Sequence, residues 1–338
     1  MKALRLLGPN NLQLQDIERP KLEDGWCRIK VLRVGVCGSD ISSISGKLIF
    51  TRFPITPGHE FSGIITETKN CHRFKTGMYV TANPIFSCGE CEACQKGELN
   101  HCTQTEVLGV VSHDGCYAEE VAVPENMLFE IPENVPAERG AMIEPVTVAL
   151  TALKKAHVKK GSRVAIFGAG NIGLVIIGLA KSLGAEEVLA IDMIEDRLQI
   201  AKQMGADKAV TVNDLENNIK DYDSCYDCLI DGVGIENVMS LMVRMVKPGG
   251  HIDIYGVPKG TYPVPVQAAF VKDVTISTSR LYGYDMSEAI RIVADENSID
   301  FDPMITHRVS LEEFAELSRK IVNREVDSIK VILEVNEK

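Results

Sequence analysis

The stretch Val164-Ala165-Ile166-Phe167-Gly168-Ala169-Gly170-Asn171-Ile172-Gly173 decides the fold. A continuous apolar strand runs into a Gly-x-Gly-x-x-Gly turn. A helix follows, with apolar residues at Ile172, Val175, Ile176, Leu179 and Leu183, the spacing of one helical face. Gly168 permits the tight turn, Gly170 lets a pyrophosphate approach the backbone, and Gly173 lets helix and strand pack closely. The helix start at Asn171 and Ile172 offers free N–H groups and partial positive charge to phosphates. A second strand, Glu187 to Ile191, ends at Asp192, 19 residues after Gly173. An acid there accepts hydrogen bonds from an adenosine ribose and repels a 2′-phosphate, so NAD is favoured over NADP. Arg197, in the following turn, could meet a 2′-phosphate, but its expected place is flat over the adenine face.

Working outward from this stretch, strands and helices continue to alternate. A helix spans Glu195 to Met204, strands cover Lys208 to Val212 and the approach to Asp231, a helix spans Glu236 to Met245, and a strand covers His251 to Tyr255. This alternation predicts a parallel sheet with helices on both faces. The residues before Pro145 read differently, as short strands at Lys2–Leu6, Leu12–Asp16, Cys27–Val34, Ser62–Glu67, Tyr79–Ala82 and Tyr117–Pro124 separated by turn residues. From about Tyr284 the pattern shifts again. Helices Met286 to Ala294 and Leu311 to Asn323 flank a short strand, and Lys330 to Val335 closes the chain.

Within the β-rich region lie Cys88, Cys91, Cys94 and Cys102, a C-x2-C-x2-C-x7-C spacing that can close a tetrahedral shell around one zinc ion. Too few apolar residues surround this loop for packing alone to order it, which supports a metal staple. Four thiolates leave no open position, so such a zinc is structural. A second set is dispersed: Cys37-Gly38-Ser39-Asp40, Gly58-His59-Glu60 and Glu144-Pro145. One sulfur, one imidazole and two carboxylates suit a catalytic zinc with three protein ligands and an open fourth position. Cys37 and His59 are expected as ligands, with Glu60 and Glu144 competing for the third place. An open zinc lowers the pKa of a bound alcohol, and Ser39 could carry the alcohol proton outward. Cys225 and Cys228 also make a C-x2-C, but they read as the start of a strand and as small apolar packing residues.

The bulk composition agrees with an enzyme. The 338 residues are 45% hydrophobic and 25% charged, ordinary for a globular chain of two domains. The net charge of −11 repels phosphate backbones, so nucleic acid is not an expected partner. No apolar run is long enough to span a bilayer. With no signal segment and with thiols disposed for metal rather than for disulfides, a reducing, cytoplasmic setting is expected.

Taken together and in this order, Val36-Cys37-Gly38-Ser39-Asp40, Pro57-Gly58-His59-Glu60, the four-cysteine lobe, Ile143-Glu144-Pro145 and Gly168 to Gly173 resemble the zinc-containing medium-chain alcohol dehydrogenases over essentially the whole chain. The resemblance implies a GroES-like catalytic domain from residues 1–146 and 284–338, with the zinc lobe at about 86–104, and a Rossmann NAD-binding domain at 147–283. It implies two zinc ions per chain, NAD, and a homo-oligomer, dimer or tetramer. Glu144 stands where liver-type members carry cysteine and where sorbitol, threonine and sugar-acid dehydrogenases carry Glu or Asp. Ser279-Arg280 and Ile305-Thr306-His307-Arg308 resemble segments of sorbitol and of L-galactonate or L-gulonate 5-dehydrogenases, and Leu108 to Gly115 resembles the same aldonate group. The expected substrate is therefore a secondary alcohol of a sugar acid, clamped by Arg280 with help from Lys47 and Arg52 in the loop between Ser45 and Thr56. A polyol is the alternative, and L-threonine a more distant one. Cys116, where the family carries a glycine, and a shortened turn at Thr68 to His72 depart from the pattern without touching a ligand.

Overall fold

The computed structural model describes residues 1–258, 260–282 and 286–338. Two compact units are present. One comprises Met1–Glu144, Asp285–Ala294 and Ile305–Lys338; the other comprises Pro145–Tyr284 and Asp295–Met304.

The first unit is built on a seven-stranded sheet. Its path runs Ile305–Val309, Lys330–Glu334, Trp26–Gly35, Glu60–Lys69, Tyr79–Ala82 and Leu128–Glu130, with Glu120–Pro124 also pairing with Trp26–Gly35. The strand Trp26–Gly35 has the antiparallel partner Glu60–Lys69 on one side and both Glu120–Pro124 and Lys330–Glu334 on the other. Its apolar residues Cys27, Ile29, Val31 and Val34 are fully buried and are interspersed with Arg28, Lys30 and Arg33, the mixed pattern of an antiparallel strand with one face on the core. Tyr117 and Phe314 meet edge to face at 5.5 Å and 86° in the same core. Each fully buried aromatic or aliphatic side chain of this kind contributes about 1.5–3 kcal/mol.

The second unit is a six-stranded parallel sheet in the order Lys208–Thr211, Glu187–Asp192, Arg163–Phe167, Tyr226–Asp231, Val246–Ile254, Thr275–Thr278. The first strand in sequence, Arg163–Phe167, sits in the middle, and the order reverses there. Ligands of such sheets bind beyond the carboxyl ends of the strands at that reversal. The helix Asn171–Ser182 buries every residue from Gly173 to Ala180, as expected of an apolar helix against a sheet.

Several helices were not legible in the sequence, and two of them carry the candidate catalytic residues Ser39 and Glu144. Gly38–Ile44 starts on a poor helix former, yet the Asp40 carboxylate accepts from the Cys37 N–H at 3.0 Å and satisfies a free donor at the helix start. Ile143–Lys155 contains Pro145, which reads as a break. Proline in the first turn is tolerated because the N–H it lacks would have had no partner there.

The expected single switch back to the first unit near residue 284 is corrected by the segment Asp295–Met304, which belongs to the second unit. Its Ile299 and Phe301 are buried, and Ile299 packs so closely on Gly178 that an added Cβ there would lie 2.5 Å from it. The boundary itself, Gly283 to Asp285, lies outside the described residues.

Candidate active site

One donor atom from each of Cys37, His59 and Glu60 lies within 4.8 Å of the other two. Cys37 precedes the helix Gly38–Ile44, and His59 enters the strand Glu60–Lys69 directly after Gly58. Gly58 has φ +97°, and a Cβ there would fall 2.2 Å from the Tyr117 ring. Only glycine makes that turn, so the motif Gly58-His59-Glu60 is a steric requirement as well as a chemical one. Glu144 lies in the first turn of Ile143–Lys155 and is buried, but its carboxylate is not within the close three-residue group.

The cluster is crowded with acid and short of water. His59, Glu60, Glu144 and Asp40 are all buried. Burial, then the charges of Glu60 and Asp40, pushes the Cys37 thiol up to about 12, while Ser39 opposes this by hydrogen bonding to the sulfur. Burial, reinforced by the Glu60 charge, holds Glu144 well above the usual carboxylate range. Burial pulls His59 down, but Asp40, Glu144 and Glu60 together outweigh it, so it too is displaced upward. All of these displacements favour the protonated form, which means the site lacks positive charge.

The hydrogen bonding points the same way. Glu60 Oε2 accepts from the fully buried ammonium of Lys330, whereas Glu60 Oε1 has no protein partner among the described residues. His59 Nδ1 lies 3.6 Å from Asp40 Oδ1. Asp40 Oδ2 accepts from the Tyr117 hydroxyl at 2.7 Å, which fixes the carboxylate behind the imidazole. The 3.6 Å between His59 Nδ1 and Asp40 Oδ1 is beyond a hydrogen bond, and neither atom has a hydrogen-bond partner among the described residues, but the carboxylate faces one ring nitrogen and leaves the other for a metal. A divalent cation would satisfy both the orphaned buried oxygen and the charge deficit, so the residues fit a zinc ion.

The second metal group is the lobe. Cys88, Cys91, Cys94 and Cys102 offer sulfurs within 4.8 Å of one another, with Cys88 Sγ 3.8 Å from Cys94 Sγ and 3.6 Å from Cys102 Sγ. Zinc–sulfur bonds of about 2.3 Å in a tetrahedron place sulfurs about 3.8 Å apart. The N–H groups of Cys88 and Gln104 donate to Cys102 Sγ and bring that thiol down to about 6. Such N–H···S bonds prepare a thiolate for metal. Two short strands not expected from the sequence, Ile85–Phe86 and Glu106–Val107, pair antiparallel and clasp the lobe at its base.

In the second unit the glycine turn has the geometry a dinucleotide needs. A Cβ on Gly173 would lie 1.8 Å from the Gly168 oxygen, so helix and turn touch, whereas a Cβ on Gly170 would meet nothing within 4 Å and the backbone is open to a ligand. Asn171 and Ile172 open the helix. Asp192 Oδ2 accepts from the Ala169 N–H at 2.7 Å and Oδ1 from the Ile194 N–H at 2.9 Å, which ties the acid to the turn. Arg197 is half-buried in the first turn of Glu195–Gln203. Arg280 is exposed two residues beyond the carboxyl end of the strand Thr275–Thr278. Lys47 and Arg52 are exposed loop residues.

The sequence reading assigned no role to Asp40, Tyr117 or Lys330. The signal for Lys330 was present but weak: a lysine opening an otherwise apolar strand, which reads as a solvated end.

Comparisons agree with this architecture. The alcohol dehydrogenase GroES-like domain family matches residues 23–133, and the zinc-binding dehydrogenase family matches residues 171–295. The chain is 30% identical over 323 residues to L-idonate 5-dehydrogenase of Vitis vinifera, covering 92% of this chain and 88% of that protein. It is equally 30% identical over 323 residues to sorbitol dehydrogenase of Arabidopsis thaliana, with the same coverage. The solved structure of galactitol-1-phosphate dehydrogenase from Escherichia coli superposes with a TM-score of 0.90 at 28% identity, covering 99% of this chain and 100% of that one. The chain therefore belongs to the zinc-containing medium-chain alcohol dehydrogenases, nicotinamide-dependent oxidoreductases, in their sorbitol and sugar-acid branch.

Proposed function

We propose that this enzyme oxidises a secondary hydroxyl of a sugar acid, such as L-gulonate or L-galactonate, to the keto acid with NAD. The carrying observation is the set of half-buried Cys37 with buried His59, Glu60 and Glu144, in which carboxylates accompany one thiol and one imidazole. Bound zinc and NAD would supply the polarisation of the alcohol and the hydride acceptor. Cys37 and His59 hold the metal, with Glu60 and Glu144 as the carboxylate partners. Asp40 lies behind the His59 ring, and Lys330 fixes one oxygen of Glu60. Ser39, beside Cys37, takes the alcohol proton outward. The lobe Cys88, Cys91, Cys94 and Cys102 holds the structural zinc.

Asp192, with Gly168, Gly170, Asn171, Ile172, Gly173 and Arg197, selects and seats the cofactor. A repulsion of a few kcal/mol against a 2′-phosphate corresponds to roughly two or more decades at about 1.4 kcal/mol each. Asp192→Ala should therefore narrow the NAD preference, and it should also lower efficiency with NAD, since the Ala169 and Ile194 N–H groups lose their acceptor. Ratios of kcat/KM for the two cofactors test this. A native enzyme that uses both equally well would overturn the assignment.

The sugar-acid reading is supported by the L-idonate 5-dehydrogenase relative and by Arg280, at the ligand-binding end of its sheet. A guanidinium can clamp a carboxylate with two parallel hydrogen bonds. The polyol reading has its own support, in the sorbitol dehydrogenase relative and in the D-xylulose reductase A of Aspergillus oryzae at 30% identity. A spectrophotometric screen of aldonates and polyols with NAD decides between them. Arg280→Ala should reduce turnover of an aldonate at least about tenfold more than that of a neutral hexitol, because only the aldonate loses a charge-assisted clamp. Equal losses would favour the polyol.

A homo-oligomer is supported by Val257, Val266, Phe270 and Val271, exposed by 83, 68, 83 and 78% in the unit that also bears the edge strand Thr275–Thr278. A cytoplasmic setting suits the four-thiol lobe. No described helix is long and apolar enough to cross a membrane.

A further inference from the structure

Cys27 and Cys71 belong to neither metal group, yet their sulfurs lie 3.4 Å apart. Cys27 is fully buried in the strand Trp26–Gly35. Trp26 pairs with Lys69 at the end of the neighbouring strand. The chain then turns through Asn70 in the left-handed region at φ +53°, and this turn brings Cys71 onto the neighbouring strand Trp26–Gly35. There its thiol donates to the Trp26 carbonyl at 3.3 Å. Cys71 is only partly buried, so a small reagent reaches it while Cys27 is screened. Among the described residues no third His, Cys, Asp or Glu completes a metal group with the pair.

We propose that Cys71 and Cys27 form a thiol–disulfide exchange site, with Cys71 as the entry thiol and Cys27 as the resolving thiol, for a low-molecular-weight disulfide of the glutathione class. The Cys71 thiol gives up its proton and its sulfur attacks the small disulfide. A Cys71–glutathione bond forms, and one glutathione leaves as the thiol. Cys27 then gives up its proton and attacks the Cys71 sulfur, the Cys27–Cys71 bond forms, and the second glutathione leaves as the thiol. Two electrons and two protons pass from the pair to the reagent. Burial and the neighbouring Cys71 push the Cys27 thiol up to about 12, so the second step is slowed by deprotonation but favoured by proximity. The bridge joins residues 44 apart and pins the shortened turn to the sheet, so its effect falls on stability.

The zinc-loaded protein, incubated with oxidised glutathione and digested with trypsin without reduction, should yield Leu22–Arg28 joined to Asn70–Arg73, two hydrogens lighter than the separate peptides. Its thermal midpoint should rise by about 4 °C or more over the reduced protein. Cys71→Ser should abolish the joined peptide and leave Cys27 as a free thiol. Cys27→Ala, a small apolar replacement at a buried position, should leave Cys71 as a persistent glutathione adduct. A wild-type protein that accumulates the Cys71 adduct without closure would overturn the proposal. So would one in which Cys71 stays reduced while the lobe cysteines oxidise.

Discussion

Replacing His59 with alanine is expected to lower kcat/KM at least about 1,000-fold while the fold persists, since a Lewis acid contributes several kcal/mol and each 1.36 kcal/mol is tenfold. The imidazole supplies the neutral donor of the group with Cys37 and Glu60, and Asp40 Oδ1 lies 3.6 Å from its Nδ1. Without it the metal keeps one sulfur and carboxylates alone, a poorer set for zinc in a site where the Cys37 thiol already favours its proton. The lobe shares no residue with this group, so its zinc should remain. Metal analysis should find two zinc ions per wild-type chain and one in His59→Ala, with unchanged circular dichroism. An active wild-type enzyme with one zinc or none would sink the two-site reading. So would a His59→Ala variant that keeps a tenth of its activity.

Lys330→Met is expected to destabilise the protein by about 3–5 kcal/mol, the cost of leaving one charge of a buried pair without its partner. Both side chains of the Lys330–Glu60 pair are fully buried. The ammonium also reaches the Val36 carbonyl at 3.4 Å, next to Cys37. Methionine keeps most of the volume and removes the charge together with its hydrogen bonds. Glu60 then has neither oxygen held by lysine. Adding Glu60→Gln to Lys330→Met should restore part of the loss, because the orphaned charge goes with it. Urea unfolding of the two single variants and the double variant measures this. With a chelator present the loss in Lys330→Met should be larger, since the metal would otherwise balance Glu60. A double variant no more stable than Lys330→Met would show that the pair does not control the Glu60 charge.

The features legible in the sequence are those whose physics is local. The strand Arg163–Phe167, the turn Gly168 to Gly173 and Asp192 follow from apolar runs, glycine sterics and a fixed spacing along one supersecondary unit. The four lobe cysteines are close because two intervening residues bring a chain back on itself, whatever surrounds them. Several strands, among them Lys2–Leu6, Leu12–Asp16 and Tyr79–Ala82, have the bounds their alternation and turn residues predict. Cys37, His59, Glu60 and Glu144 are legible through the motifs that carry the family resemblance.

Tertiary structure decided what depends on distant partners. Glu60 meets Lys330 across 270 residues, Asp40 meets Tyr117 across 77, and Cys27 meets Cys71 across 44. No pattern along the chain reports such a meeting, because sheet order, not spacing, sets it. The strand beginning at Lys330 is placed beside Trp26–Gly35, so a lysine that reads as solvated lies under the metal group. The same placement tethers Glu60 by one oxygen and leaves the other without a hydrogen-bond partner among the described residues, while Glu144 is outside the close group. Which carboxylate stands nearest the sulfur and the imidazole is therefore set by a buried ion pair that forms only when the sheet closes.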